Sequence, residues 1–171
     1  MTVKEGIVAD SVEIELDHHL AGHDEADRVI EAALYRIVEL ARRHREWQRA
    51  VAAESGLTLA DCEVILRLAH LEPVESTPSQ LARIFHITAG SMTARLGRLE
   101  SGGYLTRTVQ PENRAQIQVE LTGKGKVLHH RFADQMVEIH HQMIAGALPA
   151  KDRETLNDLL RRVLTHVEAT T

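Results

Sequence analysis

Apolar residues recur at helical spacing along most of this chain and alternate strictly with polar ones in only one short region. From Asp27 to about Glu54, Ile30, Leu34, Ile37, Val38 and Ala41 mark one face of a long amphipathic helix that Ser55-Gly56 ends. Thr58 reads as the N-cap of a second helix, CEVILRLAHL, with Asp61 three residues on in a variant of the capping box; Pro73 closes it. Thr77-Pro78 starts a third, short helix, with threonine capping and proline at the first helical position, and it stops at His86-Ile87. Thr88 caps a fourth, which Gly102-Gly103 terminates. YLTRTV and QIQVEL then alternate apolar and polar residues around QPENRA, predicting a two-stranded hairpin. Thr122 caps a helix running from Gly123 to about Gly146. Beyond Pro149 a last helix carries the stripe Leu156, Leu159, Leu160, Val163, Leu164 and Val167. Residues 1 to about 24 are acidic and polar, with VEIEL weakly strand-like and HHLAGHDEAD more helical, and read as a partly ordered arm.

Helix, short turn, helix and hairpin, in that order, predict a mainly α fold with a small two-stranded β-wing, a winged helix-turn-helix. The tight spacing is what that arrangement needs: the first helix crosses the phosphate backbone while the second lies in a major groove wide enough for one helix.

Composition sharpens the picture in two places. Aromatic residues make up only 3% of the 171 positions, so the core must be aliphatic, which suits helices better than a sandwich. The net charge of -5 hides an uneven distribution. Between Gln80 and Arg131 eight Lys and Arg face three acidic residues, a balance of +5 that leaves -10 for the rest. A basic band inside an acidic body predicts an electrostatic footprint confined to one surface. The single cysteine, Cys62, excludes an internal disulfide framework and fits a reducing cytosol. No apolar run has signal-peptide or membrane-span length, so a cytoplasmic protein with no membrane partner is expected.

The run TPSQLARIFHITAGSMTARLGRLESGGYLTRTVQPENRAQIQVELTGKGK, with its TARLGRLESGGYLTR helix end and V-x-LTxxG entry into the next helix, resembles the DNA-binding core of the MarR family of bacterial transcriptional regulators. The likeness extends more weakly from Ser55 to the C-terminus. It implies an extension over 1–24, a dimerisation helix over 25–54, a DNA-binding lobe over 55–122 and C-terminal dimerisation helices over 123–171. It also implies an intertwined homodimer that represses palindromic double-stranded operators and is relieved by a small effector, an oxidant or a metal. The extension and the SGL entry into the second helix are similar to the urate- and phenolate-responsive branch, which points to a phenolic or other anionic aromatic effector. The tryptophan of that branch's extra helix is missing here. The family's wing triplet, Asp, any residue, Arg, is replaced by Asn113, Arg114 and Ala115, so Arg114 is expected to be re-aimed at the wing tip.

On this reading the recognition helix presents Thr88, Ser91, Met92, Thr93, Arg95 and Arg98. Arg95 can hold guanine with both prongs of its fork, Ser91 and Thr93 can donate to phosphate or base, and Met92 can meet a thymine methyl. Arg95 and Arg98 also read as solvated surface arginines, with Arg98 open to being held by an acid such as Glu100. Thr77, Ser79 and Gln80, at the preceding helix start, suit a phosphate, although Thr77 also reads as a cap alone. Arg107 and Lys124 can flank the backbone. The family's effector pocket lies where its first, second and fifth helices meet the lobe, which makes His44, Trp47, Cys62, Glu63 and Arg67 its candidate lining.

The eleven histidines raise a different possibility, a metal-responsive regulator or a histidine-rich metal-binding helical protein. His18, His19 and His23 lie close in sequence, and His129-His130 and His140-His141 share a helix. No one element supplies three close ligands, so surface or interface histidines are the expectation and no metal site or cofactor is assigned. Cys62 is expected to be a buried small hydrophobe rather than a redox switch. No Ser/His/Asp or Cys/His arrangement, Gly-rich phosphate loop or HExxH supports an enzyme.

Overall fold

A computed structural model describes residues 10–13, 16, 24–71, 76–109 and 117–170. Helix α1 spans Glu25–Ala53, α2 Leu59–Leu68, α3 Pro78–Ile84 and α4 Ala89–Ser101. Strands β1 (Leu105–Val109) and β2 (Ile117–Leu121) follow, then α5 (Gly123–His140), a π-helical turn over His141–Ala145 and α6 (Ala150–Thr170). The fold is mainly helical with one two-stranded antiparallel sheet, as the pattern predicts.

Each helix start is written locally. Thr58, Thr77, Thr88 and Thr122 all have extended backbones, and each hydroxyl accepts a hydrogen bond from the amide three residues on. Each such cap is worth about 1 kcal/mol. The stops are glycine: Gly56 (φ 68°) turns the chain after α1, and Gly103 (φ 74°) turns it after α4. The hairpin register pairs Leu105 with Leu121 and Arg107 with Val119. Ser76 adds a third rung, its carbonyl accepting from the Val119 amide at 2.9 Å.

The chain forms two compact units, 1–50 and 51–171. In the first, residues 11–13 are helical, which corrects the strand-like reading of VEIEL. Val12 and Leu16 are buried, and Arg36 of α1 donates to Asp10 at 2.7 Å and to Glu13 at 3.3 Å. His18, His19 and His23, and the wing tip with Arg114, lie outside the described residues.

The second unit holds the main core: Val64, Ile65 and Leu68 from α2, Leu81 and Ala82 from α3, Met92, Leu96 and Leu99 from α4, with Leu105, Val119 and Leu128. Burying each large side chain contributes about 1.5–3 kcal/mol, so α3 and α4 are locked together as one body. A smaller cluster joins Val51 and Ala52 at the end of α1 to Cys62, Phe132 and Met136. The long helix predicted over 123–146 is broken at His141, where the hydrogen bonding widens to the π pattern.

Candidate nucleic-acid interface

α3 and α4 are joined by Phe85–Thr88, where His86 takes a left-handed conformation (φ 50°) to make the turn. This swings the start of α4 to the surface. Thr88, Ala89, Gly90, Ser91, Thr93 and Ala94 are exposed, while Met92, Leu96 and Leu99 face the core. The exposed face is therefore small, polar or glycine, with no bulk to hold a nucleic-acid groove at a distance. Thr88 and Ser91 hydroxyls are bonded to each other at 2.8 Å, and Thr88 also caps the helix.

Three sequence assignments change. Met92 is completely buried and cannot meet a thymine methyl; it sits in the stripe Met92, Leu96, Leu99 at helical spacing. Arg95 does not project outward like a free fork. Its side chain is only 18% exposed, with Nε buried 4.0 Å from Asp61 Oδ1 and without a hydrogen-bond partner. Arg98 is more open but donates to Asp61 Oδ1 at 2.9 Å, so Asp61, not Glu100, is its acid. Asp61 Oδ2 accepts from the Thr58 hydroxyl at 2.7 Å. One buried carboxylate thus completes the α2 capping box and anchors the α4 arginines.

The other cations also have internal partners. Arg107 binds Glu100 through Nε at 2.9 Å, through its backbone amide at 3.2 Å and through Nη2. That pairing lowers the carboxyl pKa and raises the guanidinium pKa. Lys124 Nζ donates to the Gly102 carbonyl at 2.7 Å and lies 4.3 Å from the Tyr104 ring centre. It therefore fastens α5 to the end of α4. Thr77 caps α3, Gln80 accepts from Arg83 at 3.3 Å, and Ser79 is exposed beside them. The exposed residues Ala89, Gly90 and Ala94 share the open face of α4 and were not among the residues read from the sequence, nor were the exposed cations Arg83 and Lys126. The i, i+4, i+7 stripe through Met92 was the available signal for the first three.

Of the candidate effector residues, only Glu63 and Arg67 are brought to one cleft among the described residues. Cys62 lies in the smaller core cluster, 2% exposed, and its thiol is pushed up to about 11 by burial first and by Asp61 and Glu63 second. Buried among apolar side chains, it stays a thiol rather than a reactive thiolate. Glu63 and Arg67 line an open surface cleft of about 470 Å3 with Leu66, His70, Ile84 and Phe85. His44 and Trp47 lie on α1 in the first unit. Among the described residues no three His, Cys, Asp or Glu side chains gather with metal-holding geometry, and no helix is long and apolar enough to cross a membrane.

Comparison with known proteins agrees with this layout. Residues 55–116 match the MarR family model. The chain is 30% identical over 95 residues to the transcriptional regulator PecS of Dickeya dadantii, covering 56% of this chain and 57% of PecS. It is 28% identical over 88 residues to the multiple antibiotic resistance protein MarR of Escherichia coli K12, covering 52% and 61%. The chain thus matches rather more than half the length of these relatives. Among solved structures, a MarR mutant from E. coli superposes with a TM-score of 0.62 at 25% identity, covering 77% of this chain and 96% of that one. A mutant of MepR from S. aureus bound to an oligodeoxyribonucleotide gives 0.64 at 16% identity, covering 79% and 97%. Matched in sequence over residues 55–116 and in backbone over more than three quarters of its length, this chain is similar to winged helix-turn-helix proteins of the MarR family.

Proposed function

We propose that this chain is a homodimeric DNA-binding transcriptional regulator that represses palindromic operators and is released by a small anionic aromatic effector. The observation that carries the DNA-binding part is the exposed, small-residue start of α4, set by a helix-turn-helix that matches a family of regulators. Two such helices on a two-fold axis would enter major grooves about 34 Å apart. Ser91 and Thr93 supply hydroxyls at that surface, Thr77 and Ser79 open the helix that would cross the phosphates, and Arg83 and Lys126 add charge. Arg98, half exposed on the same helix, can pivot from Asp61 to a phosphate.

Two exposed apolar faces support the dimer. α1 exposes Val29, Ile30, Leu34, Ile37 and Val38, and α6, with no buried residue, exposes Leu159, Leu160, Val163, Leu164 and Val167. Apolar stripes of that length belong against protein. The effector class rests on the resemblance of the N-terminal extension and the SGL entry to the urate- and phenolate-responsive branch; repression and its relief rest on the family likeness alone.

Fluorescence anisotropy on the chain's own upstream intergenic DNA, run as a salt series, tests the reading. Affinity should fall steeply with salt as phosphate contacts displace counterions. Ala94→Glu, which puts a carboxylate on the exposed face of α4 without touching the core, should abolish binding while the melting temperature holds. Undiminished binding by Ala94→Glu would remove α4 from the interface, and no salt-sensitive binding at all would remove DNA from the function.

A further inference from the structure

Outside the proposed DNA interface, three imidazoles stand close together among the described residues. His70 follows the last turn of α2, and His129 lies on the second turn of α5. Their ring centres are 5.3 Å apart with planes at 73°. His130 places its ring 5.1 Å from that of His129 at 71°. His129 and His130 border a cleft of about 370 Å3 that is also lined by Glu120, Lys126, Leu68, Leu71, Val119 and Leu121, while His70 borders the neighbouring cleft with Glu63 and Arg67.

The spacing has a chemical meaning. With a metal–nitrogen bond of about 2.0–2.1 Å, two imidazoles on one tetrahedral ion have ring centres about 5 Å apart. His70 and His129 already stand at that separation. Their χ2 torsions are broad, so a ring rotation can turn one nitrogen of each toward a shared point without moving the backbone. His130 stands at a like distance from His129, but the two follow each other on one helix, where successive positions project in different directions, so His70 is the partner assigned to His129.

We propose that His70 and His129 form a two-imidazole site for a divalent d-block cation of the zinc, nickel or cobalt(II) class, with water or a small anion filling the remaining positions from the cleft. Bound there, the ion would tie the end of α2 to α5 within the second unit. The site stands apart from the DNA-binding reading, because its test needs no DNA.

Calorimetric titration of the full chain with zinc chloride, paired with an optical titration with cobalt(II), reads the site directly. One ion per chain should bind, with the intense visible bands of tetrahedral cobalt. His70→Gln and His129→Gln should each weaken binding at least about tenfold, since even outer-shell changes cost that much. His130→Gln should leave it unchanged. His70 is exposed, so His70→Gln cannot fail through misfolding. The proposal is overturned if the wild-type chain takes up neither ion at micromolar concentration. It is equally overturned if uptake survives both His70→Gln and His129→Gln and disappears when His18, His19 and His23 are changed.

Discussion

An added Cβ at Gly125 would stand 2.1 Å from the Tyr104 carbonyl oxygen, far inside contact distance with a backbone atom that has no room to yield. That carbonyl already accepts the Thr122 amide at 3.1 Å, and the Thr122 hydroxyl caps α5 on Gly125 itself. The glycine of the LTxxG run is therefore the point where the first turn of α5 lies against the entry to β1. Gly125→Ala should destabilise the second unit by about 2–3 kcal/mol, the upper range for overpacking, because backbone rather than a flexible side chain must move. A denaturant midpoint measurement checks this; a midpoint equal to wild type would mean that the contact is soft. The sequence marked this glycine only as the end of the LTxxG run; the close approach that requires it comes from the packing of α5 on the entry to β1. At Met92 the sequence was legible and misread. Position 92 shares the apolar stripe with Leu96 and Leu99, and Arg95 lies on the edge of that same stripe.

At the scale of elements, Asp61 joins two helices with one carboxylate. Its capping role in α2 could be read from Thr58 three residues earlier, because caps are local. Its grip on Arg98 could not, since 37 residues separate the two and only the packing of α2 on α4 brings them together. Asp61→Ala should cost about 2–3 kcal/mol, combining the lost cap with stranded arginine donors. Arg98→Ala, removing a half-exposed partner, should cost less than about 1 kcal/mol. Equal losses in a paired unfolding series would contradict this division, since they would place the stabilisation in the ion pair and not in the cap. Strand pairing followed the alternation of YLTRTV and QIQVEL closely. The π-helical turn at His141–Ala145 carried no comparable pattern, because a widened hydrogen-bond step leaves the apolar spacing almost unchanged.

For the molecule as a whole, the question is what covers α1 and α6. Leu34 is 54% exposed and Val163 56% exposed, each in the middle of an apolar stripe. On the proposed homodimer, Leu34→Glu and Val163→Glu should each shift sedimentation velocity toward monomer and lower the apparent melting temperature in a concentration-dependent way. Wild type that sediments as a monomer at all concentrations would refute the dimer. The stripes themselves were plain in the sequence. What was not plain is that several cations of the basic band, read as one footprint, are held by acids of the same chain: Arg98 by Asp61, Arg107 by Glu100 and Arg131 by Glu54 at 2.9 Å.

The burial of Cys62 has a practical consequence. A chain whose single thiol is 2% exposed and shifted to about 11 behaves, toward a maleimide or disulfide reagent at neutral pH, as though it had no cysteine. A thiol introduced by Ala94→Cys should therefore label alone and at once, placing a fluorophore on the face of α4 without first removing the native residue. Left unmodified, Cys62 becomes a clock: its slow labelling in the native chain should track the rate at which the core opens, and should collapse to the free-thiol rate in denaturant.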